Sequence, residues 1–197
     1  MLRPASTRDT KTPIHSPVSG NRRHAVAWVT ITVLLADQLS KTLAVTLIGS
    51  HANASVRWLS LRLVHNTGAS FGVEGGHQLF VTALAIVVTA GVAVLAIQTQ
   101  ERSAALAWAV TLGGALGNLA DRLARSPAQG RGAVIDWIHV SGYPSTFNVA
   151  DLAIRGGSVA ALITTVRSTS SHPHHRTPRP ITTEARQADT EGSSRCT

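Results

Sequence analysis

Nineteen consecutive residues, Leu79 to Ile97, carry no charge, and this run constrains the fold more than any other feature of the chain. At about 1.5 Å of rise per residue, a helix of that length crosses most of the ~30 Å hydrocarbon layer of a bilayer. In lipid, a spanning segment must satisfy its backbone polar groups internally, so the run predicts a transmembrane helix. Composition agrees: the chain is 44% hydrophobic and only 14% charged, with few charges between Ala25 and Val166 and many in the two tails. The formal net charge of +8 lies largely in tails that adjoin apolar segments. That placement suits anionic lipid headgroups, and nucleic acid is not an expected partner. The single cysteine, Cys196, cannot form an internal disulfide and reads as an incidental tail residue.

Three further spans are predicted, at about 25–48, 104–121 and 147–166. The expected fold class is therefore an all-α membrane protein: four transmembrane helices, a small extracytoplasmic β element and disordered polar tails. Residues 1–24 read as a disordered basic N-terminal tail, 25–167 as one membrane domain, and 168–197 as a disordered C-terminal tail. A cleaved signal peptide fits the start poorly, because Asp37 and Lys41 interrupt the apolar run and no small-x-small site precedes them. The β element is predicted at Arg57–Val64, where leucines 59, 61 and 63 alternate. Residues 123–146 read as a second outer loop. In the C-terminal tail, His172, His174 and His175 lack an accompanying acid or cysteine and read as solvated. Eleven Lys and Arg in the tails and the 98–103 turn, against five in the two opposite loops, predict cytoplasmic termini.

The acidic residues carry the chemistry. Asp121, Asp136 and Asp151 lie in or beside apolar segments, where an ionisable group is expensive and is by default a functional-site candidate. Two carboxylates close enough to share a proton can drive hydrolysis by a bound water, and Asp136 with Asp151 is the expected pair. Asp37 and Lys41 are four residues apart on one helical face. They are expected to line a polar cavity, the alternative being a neutralising pair at a helix end. Asp121 falls three residues after Asn118, with Arg122 beside it; an ion pair of Asp121 with Arg122 ending the helix is the plainer reading. Gly113, Gly114 and Gly117 predict close approach of another helix. The His65–Gly72 stretch reads either as tight turns with close backbone approach or as a plain hairpin. Arg155, one turn from Asp151, is expected to point elsewhere, toward Asp121 or a headgroup. His-Glu-x-x-His is absent and no base accompanies Ser70, so no metal, cofactor or serine nucleophile is expected. The alternative from another class is a small ion channel or proton-coupled carrier lined by the same acids; no internal repeat supports it.

Five stretches, in order, resemble the lipoprotein signal peptidase (signal peptidase II) family of membrane aspartyl proteases. They are Asp37-Gln-Leu-Ser-Lys41; Asn66-Thr-Gly68-Ala69-Ser-Phe71-Gly72; Gly113-Gly-Ala-Leu-Gly117-Asn118-Leu-Ala-Asp121-Arg122; Val134-Ile-Asp136; and Phe147-Asn148-Val-Ala150-Asp151. The resemblance implies a multi-pass protein of the bacterial cell membrane with its active site near the outer face. Its implied substrate is a prolipoprotein cut before a diacylglyceryl-modified cysteine, met among membrane lipids. It also implies Asp136 and Asp151 as the catalytic pair. Asn66, Gly68, Ala69, Asn118, Asp121, Arg122, Asn148 and Ala150 would be substrate-binding or supporting positions, with Asp37 and Lys41 as a supporting pair.

Overall fold

The computed structural model describes residues 18–48, 54–68, 77–126 and 130–170. The elements run α1 (Val18–Ile48), β1 (Ala54–Val56), β2 (Leu59–Asn66), α2 (Gln78–Gln98), α3 (Arg102–Ala124), β3 (Val134–Val140), β4 (Thr146–Phe147) and α4 (Val149–Ser170). All four helices are long and apolar enough to cross a membrane. The first starts at Val18, ahead of the expected Ala25, and the fourth at Val149 rather than Phe147.

The helices turn their large apolar side chains outward. Trp28, Leu35, Leu39, Leu43 and Leu47 of α1 are all exposed, as are Phe80, Leu84 and Val87 of α2. In water such faces would be unfavourable; in hydrocarbon they are the required contact with solvent. The interior is made of small residues instead, with Ala96, Ala105 and Ala109 packed around Val26. Lipid supplies no hydrophobic drive for helix association, so cohesion depends on close packing, which small residues permit.

Helix α3 lies at the centre and packs against the other three. Its glycine triplet serves two neighbours. A Cβ on Gly113 would fall 2.7 Å from the Thr30 carbonyl of α1, and one on Gly114 would fall 2.6 Å from the Ala150 carbonyl of α4. A Cβ on Gly117 would strike the Asp37 carboxylate. The expected close approach is therefore present on both sides of the helix.

The β element is a four-stranded antiparallel sheet in the order β1-β2-β3-β4. It covers the end of the bundle where α1 and α3 finish and α2 and α4 begin. The strand expected at 57–64 lies two residues later, because Arg57, at φ 51, takes the left-handed turn that joins β1 to β2. A register irregularity between Leu61 and Val64 breaks the leucine alternation read from the sequence. Residues 123–146, expected as a loop, instead hold β3 and the start of β4, whose second residue, Phe147, is the expected opening of the fourth span. The first half of β3 hides from a period-two search because Val134, Ile135 and Asp136 are all buried, and a strand covered on both faces does not alternate.

Candidate active site

The site is assembled at the first turn of α4. A helix N-terminus leaves backbone N–H groups without intrahelical partners. Asn148 is the residue before the helix; its Oδ1 accepts from the Asp151 amide at 2.9 Å, while Asp151 Oδ2 accepts from the Asn148 amide at 3.3 Å. This is a reciprocal capping box made from Asn and Asp. A third amide, that of Ala150, donates to Asp37 Oδ1 of α1 at 2.9 Å. The Phe-Asn-x-Ala-Asp segment is thus first a helix start, with its acid held in place by the backbone.

Once its oxygen is committed to the cap, the Asn148 side chain presents its nitrogen to β3. Nδ2 donates to Asp136 Oδ1 at 2.6 Å, with the Ile135 carbonyl and Asn118 Oδ1 each 3.2 Å away. The other Asp136 oxygen accepts from Asn66 Nδ2 at 2.9 Å. Asn66 is fixed in the same manner: its Oδ1 accepts from the Gly68 amide at 2.8 Å, in a turn where Gly68 adopts φ 81. In both asparagines a backbone donor claims the amide oxygen, so each NH2 faces the carboxylate. Asp151 Oδ1 accepts from Asn118 Nδ2 at 3.1 Å, and Asn118 Oδ1 accepts from Lys41 Nζ at 2.9 Å.

Asp136 is only 2% exposed, whereas Asp151 is half-buried. Burial raises the Asp136 pKa to about 6, and the nearby charge of Asp151 acts in the same direction. The hydrogen bonds from Asn66 and Asn148 oppose the shift without cancelling it.

Behind the two acids lies a largely buried ionic network, reached from outside only at the partly exposed Arg125. Lys41 is completely buried, and its three donors are all used, by Asp37 at 2.7 Å, Asp121 at 2.8 Å and Asn118 at 2.9 Å. Asp121 also pairs with Arg125 at 2.6 Å and accepts from the Ile135 amide at 3.3 Å. Two cations balance two carboxylates, as burial in a low dielectric demands. Asp37 and Lys41 thus form the neutralising pair of the alternative reading, fully buried against α3 rather than placed at the helix end. The Asp121–Arg122 ion pair is replaced by pairing of Asp121 with Lys41 and Arg125. The i,i+4 spacing to Arg125 was the available signal, overshadowed by the adjacent arginine. Arg122 instead packs its guanidinium against the Gly68 turn within Coulombic reach of Asp136, with Nη1 buried and unpartnered in the described residues.

Arg155 has no ion pair with Asp151 or Asp121 among the described residues; its Nη1 donates to the Tyr143 hydroxyl at 3.1 Å. Ala150 is fully buried against the Asp37 side of the site. Ala69, Phe71 and Gly72, and the tail histidines 172, 174 and 175, lie outside the described residues. Among the described residues no group of three His, Cys, Asp or Glu side chains is placed to hold a metal. One feature went unread in the sequence. Arg62 of β2 donates from Nε to Thr146 Oγ1 at 3.0 Å and holds Nη2 2.8 Å from His139 Nδ1, beside an open cavity of about 560 Å³ that reaches Asp136. A cation interrupting an alternating leucine strand was its only signal. The two acids share a hydrogen-bonding partner in Asn148, and the charge of Asp151 acts on Asp136.

A family profile described as signal peptidase (SPase) II matches residues 29–167. Lipoprotein signal peptidases of Rhodococcus jostii and Streptomyces coelicolor are 37% and 36% identical; the first alignment covers 76% of each chain, the second 75% of this chain and 74% of the other. The lipoprotein signal peptidase of Mycobacterium tuberculosis is 32% identical over 77% of this chain and 76% of its own. A bacterial membrane enzyme solved by the in meso method superposes with a TM-score of 0.63 at 23% identity, over 73% of this chain and 94% of that one, and so shares the fold.

Proposed function

The chain belongs to the signal peptidase II family, and from that premise we propose that it removes signal peptides from prolipoproteins, with Asp136 and Asp151 as the catalytic acids. Membership makes it a multi-pass membrane peptidase and displaces the channel or carrier alternative. The cut falls immediately before a cysteine that bears a diacylglyceryl group. The observation that carries the assignment of the acids is Asn148: one residue donates to Asp136 through its side chain and to Asp151 through its backbone.

Asp136, the more deeply buried of the two, acts as the proton donor, and the half-buried Asp151 acts as the base. Asp151 accepts a proton from water as the oxygen attacks the scissile carbonyl carbon, and Asp136 protonates the carbonyl oxygen. The tetrahedral intermediate then breaks its C–N bond. Asp151 returns its proton to the leaving amine, and Asp136 regains one from a hydroxyl of the intermediate, which leaves as the carboxylic acid. Asn66 and Asn148 stabilise Asp136 when it is briefly ionised. The bilayer positions the substrate, with its acyl chains and apolar signal helix in lipid and the scissile bond at the sheet-covered end. The termini are cytoplasmic and the sheet is extracytoplasmic in this reading, which the distribution of Lys and Arg supports.

Purified protein in detergent, incubated with a diacylglyceryl-modified prolipoprotein, tests the proposal. Wild type should cleave, and Asp136→Asn and Asp151→Asn, each verified as folded, should not. Cleavage surviving both substitutions would overturn the dyad. No cleavage by folded wild type across several substrates would overturn the reaction.

A further inference from the structure

Arg62 has no acidic partner among the described residues. Its two contacts, Thr146 Oγ1 on β4 and His139 Nδ1 on β3, fix the guanidinium in place and leave further N–H groups unused. The side chain is half-buried and lines the same cavity as Asp136, with Asn66, Thr67, Ser145 and Thr146 also on its walls. A fixed, partly desolvated cation aimed at a polar groove selects for an anion.

The two halves of a signal-peptide substrate differ in chemistry. The signal helix is apolar and lies in lipid, whereas the chain after the scissile bond is extracytoplasmic and polar. The groove has polar side chains beside Val64 and Pro144 on its walls and belongs to the sheet end rather than to the spans, so it suits the second half. Resting on the catalytic reading above, we propose that Arg62 reads the residues that follow the modified cysteine and favours an acidic side chain there. Arg62 is a specificity-determining residue in this role, and Thr146 and His139 position it.

The test compares synthetic diacylglyceryl-modified prolipoprotein peptides identical except for Glu, Gln or Lys at the second and third positions after the cysteine. At low salt, wild type should cleave the Glu peptide with a kcat/KM about threefold above Gln, and Lys should fall below Gln, the scale of a partly exposed ion pair. The ratios are taken within each enzyme, so a general loss of activity cancels. Arg62→Gln should bring the Glu/Lys ratio close to one, and Arg62→Glu should invert it. Raising ionic strength should shrink the wild-type ratio without any substitution, which keeps the test decisive if a variant fails to fold. Efficient but indifferent cleavage of all three peptides by wild type would overturn this inference alone. A preference that survives Arg62→Gln would also overturn it. Failure of wild type on every peptide would overturn the catalytic reading and this inference together.

Discussion

Asn148 donates its side-chain amide to Asp136 at 2.6 Å while its own oxygen accepts the backbone amide of Asp151 at 2.9 Å. The same residue therefore starts α4 and holds the two acids in register. Truncation to alanine removes a helix cap, about 1 kcal/mol, and frees Asp136 on one side. Asn148→Ala should lower Tm modestly in detergent yet reduce kcat far more, by about 100-fold, because a small displacement at a reacting centre is amplified. A Tm loss with unchanged kcat would separate the cap from the chemistry.

With Asp136 as the protonated acid at a pKa of about 6, activity has a defined sign with pH. The enzyme is competent below that value and loses its proton donor as pH rises through it, so kcat/KM should decline above about pH 6. A profile of kcat/KM against pH checks this; a flat profile through pH 5 to 8 would contradict the assignment.

Lys41 holds two carboxylates together with no exposed surface. Lys41→Met leaves Asp37 and Asp121 facing a single arginine and should destabilise the fold by about 3–5 kcal/mol, read as loss of Tm or of detergent-stable protein. Adding Asp37→Asn removes the excess charge and should recover part of that loss. Simple additivity in the double variant would show that the two residues do not interact.

Gly114 lets α3 touch the α4 backbone at the residue preceding Asp151, since a Cβ there would lie 2.6 Å from the Ala150 carbonyl. Gly114→Ala must push α4 outward, at about 1–3 kcal/mol from overpacking, and should cut activity disproportionately. Gly156→Ala, where a Cβ meets nothing, should leave Tm and activity near wild type.

The sequence by itself determined the four spans, the small-residue contact of α3, and the identity of the acids worth testing, because membrane insertion and buried charge both leave strong local signals. Leu79–Ile97 needs no tertiary information to be read as a span. Only the tertiary structure decided partnership. Asp121 chose Lys41 and Arg125 over its neighbour Arg122, Asp37 became a cap for α4 from another helix, and Arg62 met His139 and Thr146 across the sheet. These contacts join residues up to 113 positions apart, and the direction of each side chain depends on how helices and strands pack. The strand carrying Asp136 escaped for a related reason. It is buried on both faces where it enters the site, so the environment that tunes the acid also erases the alternation that would have revealed the strand.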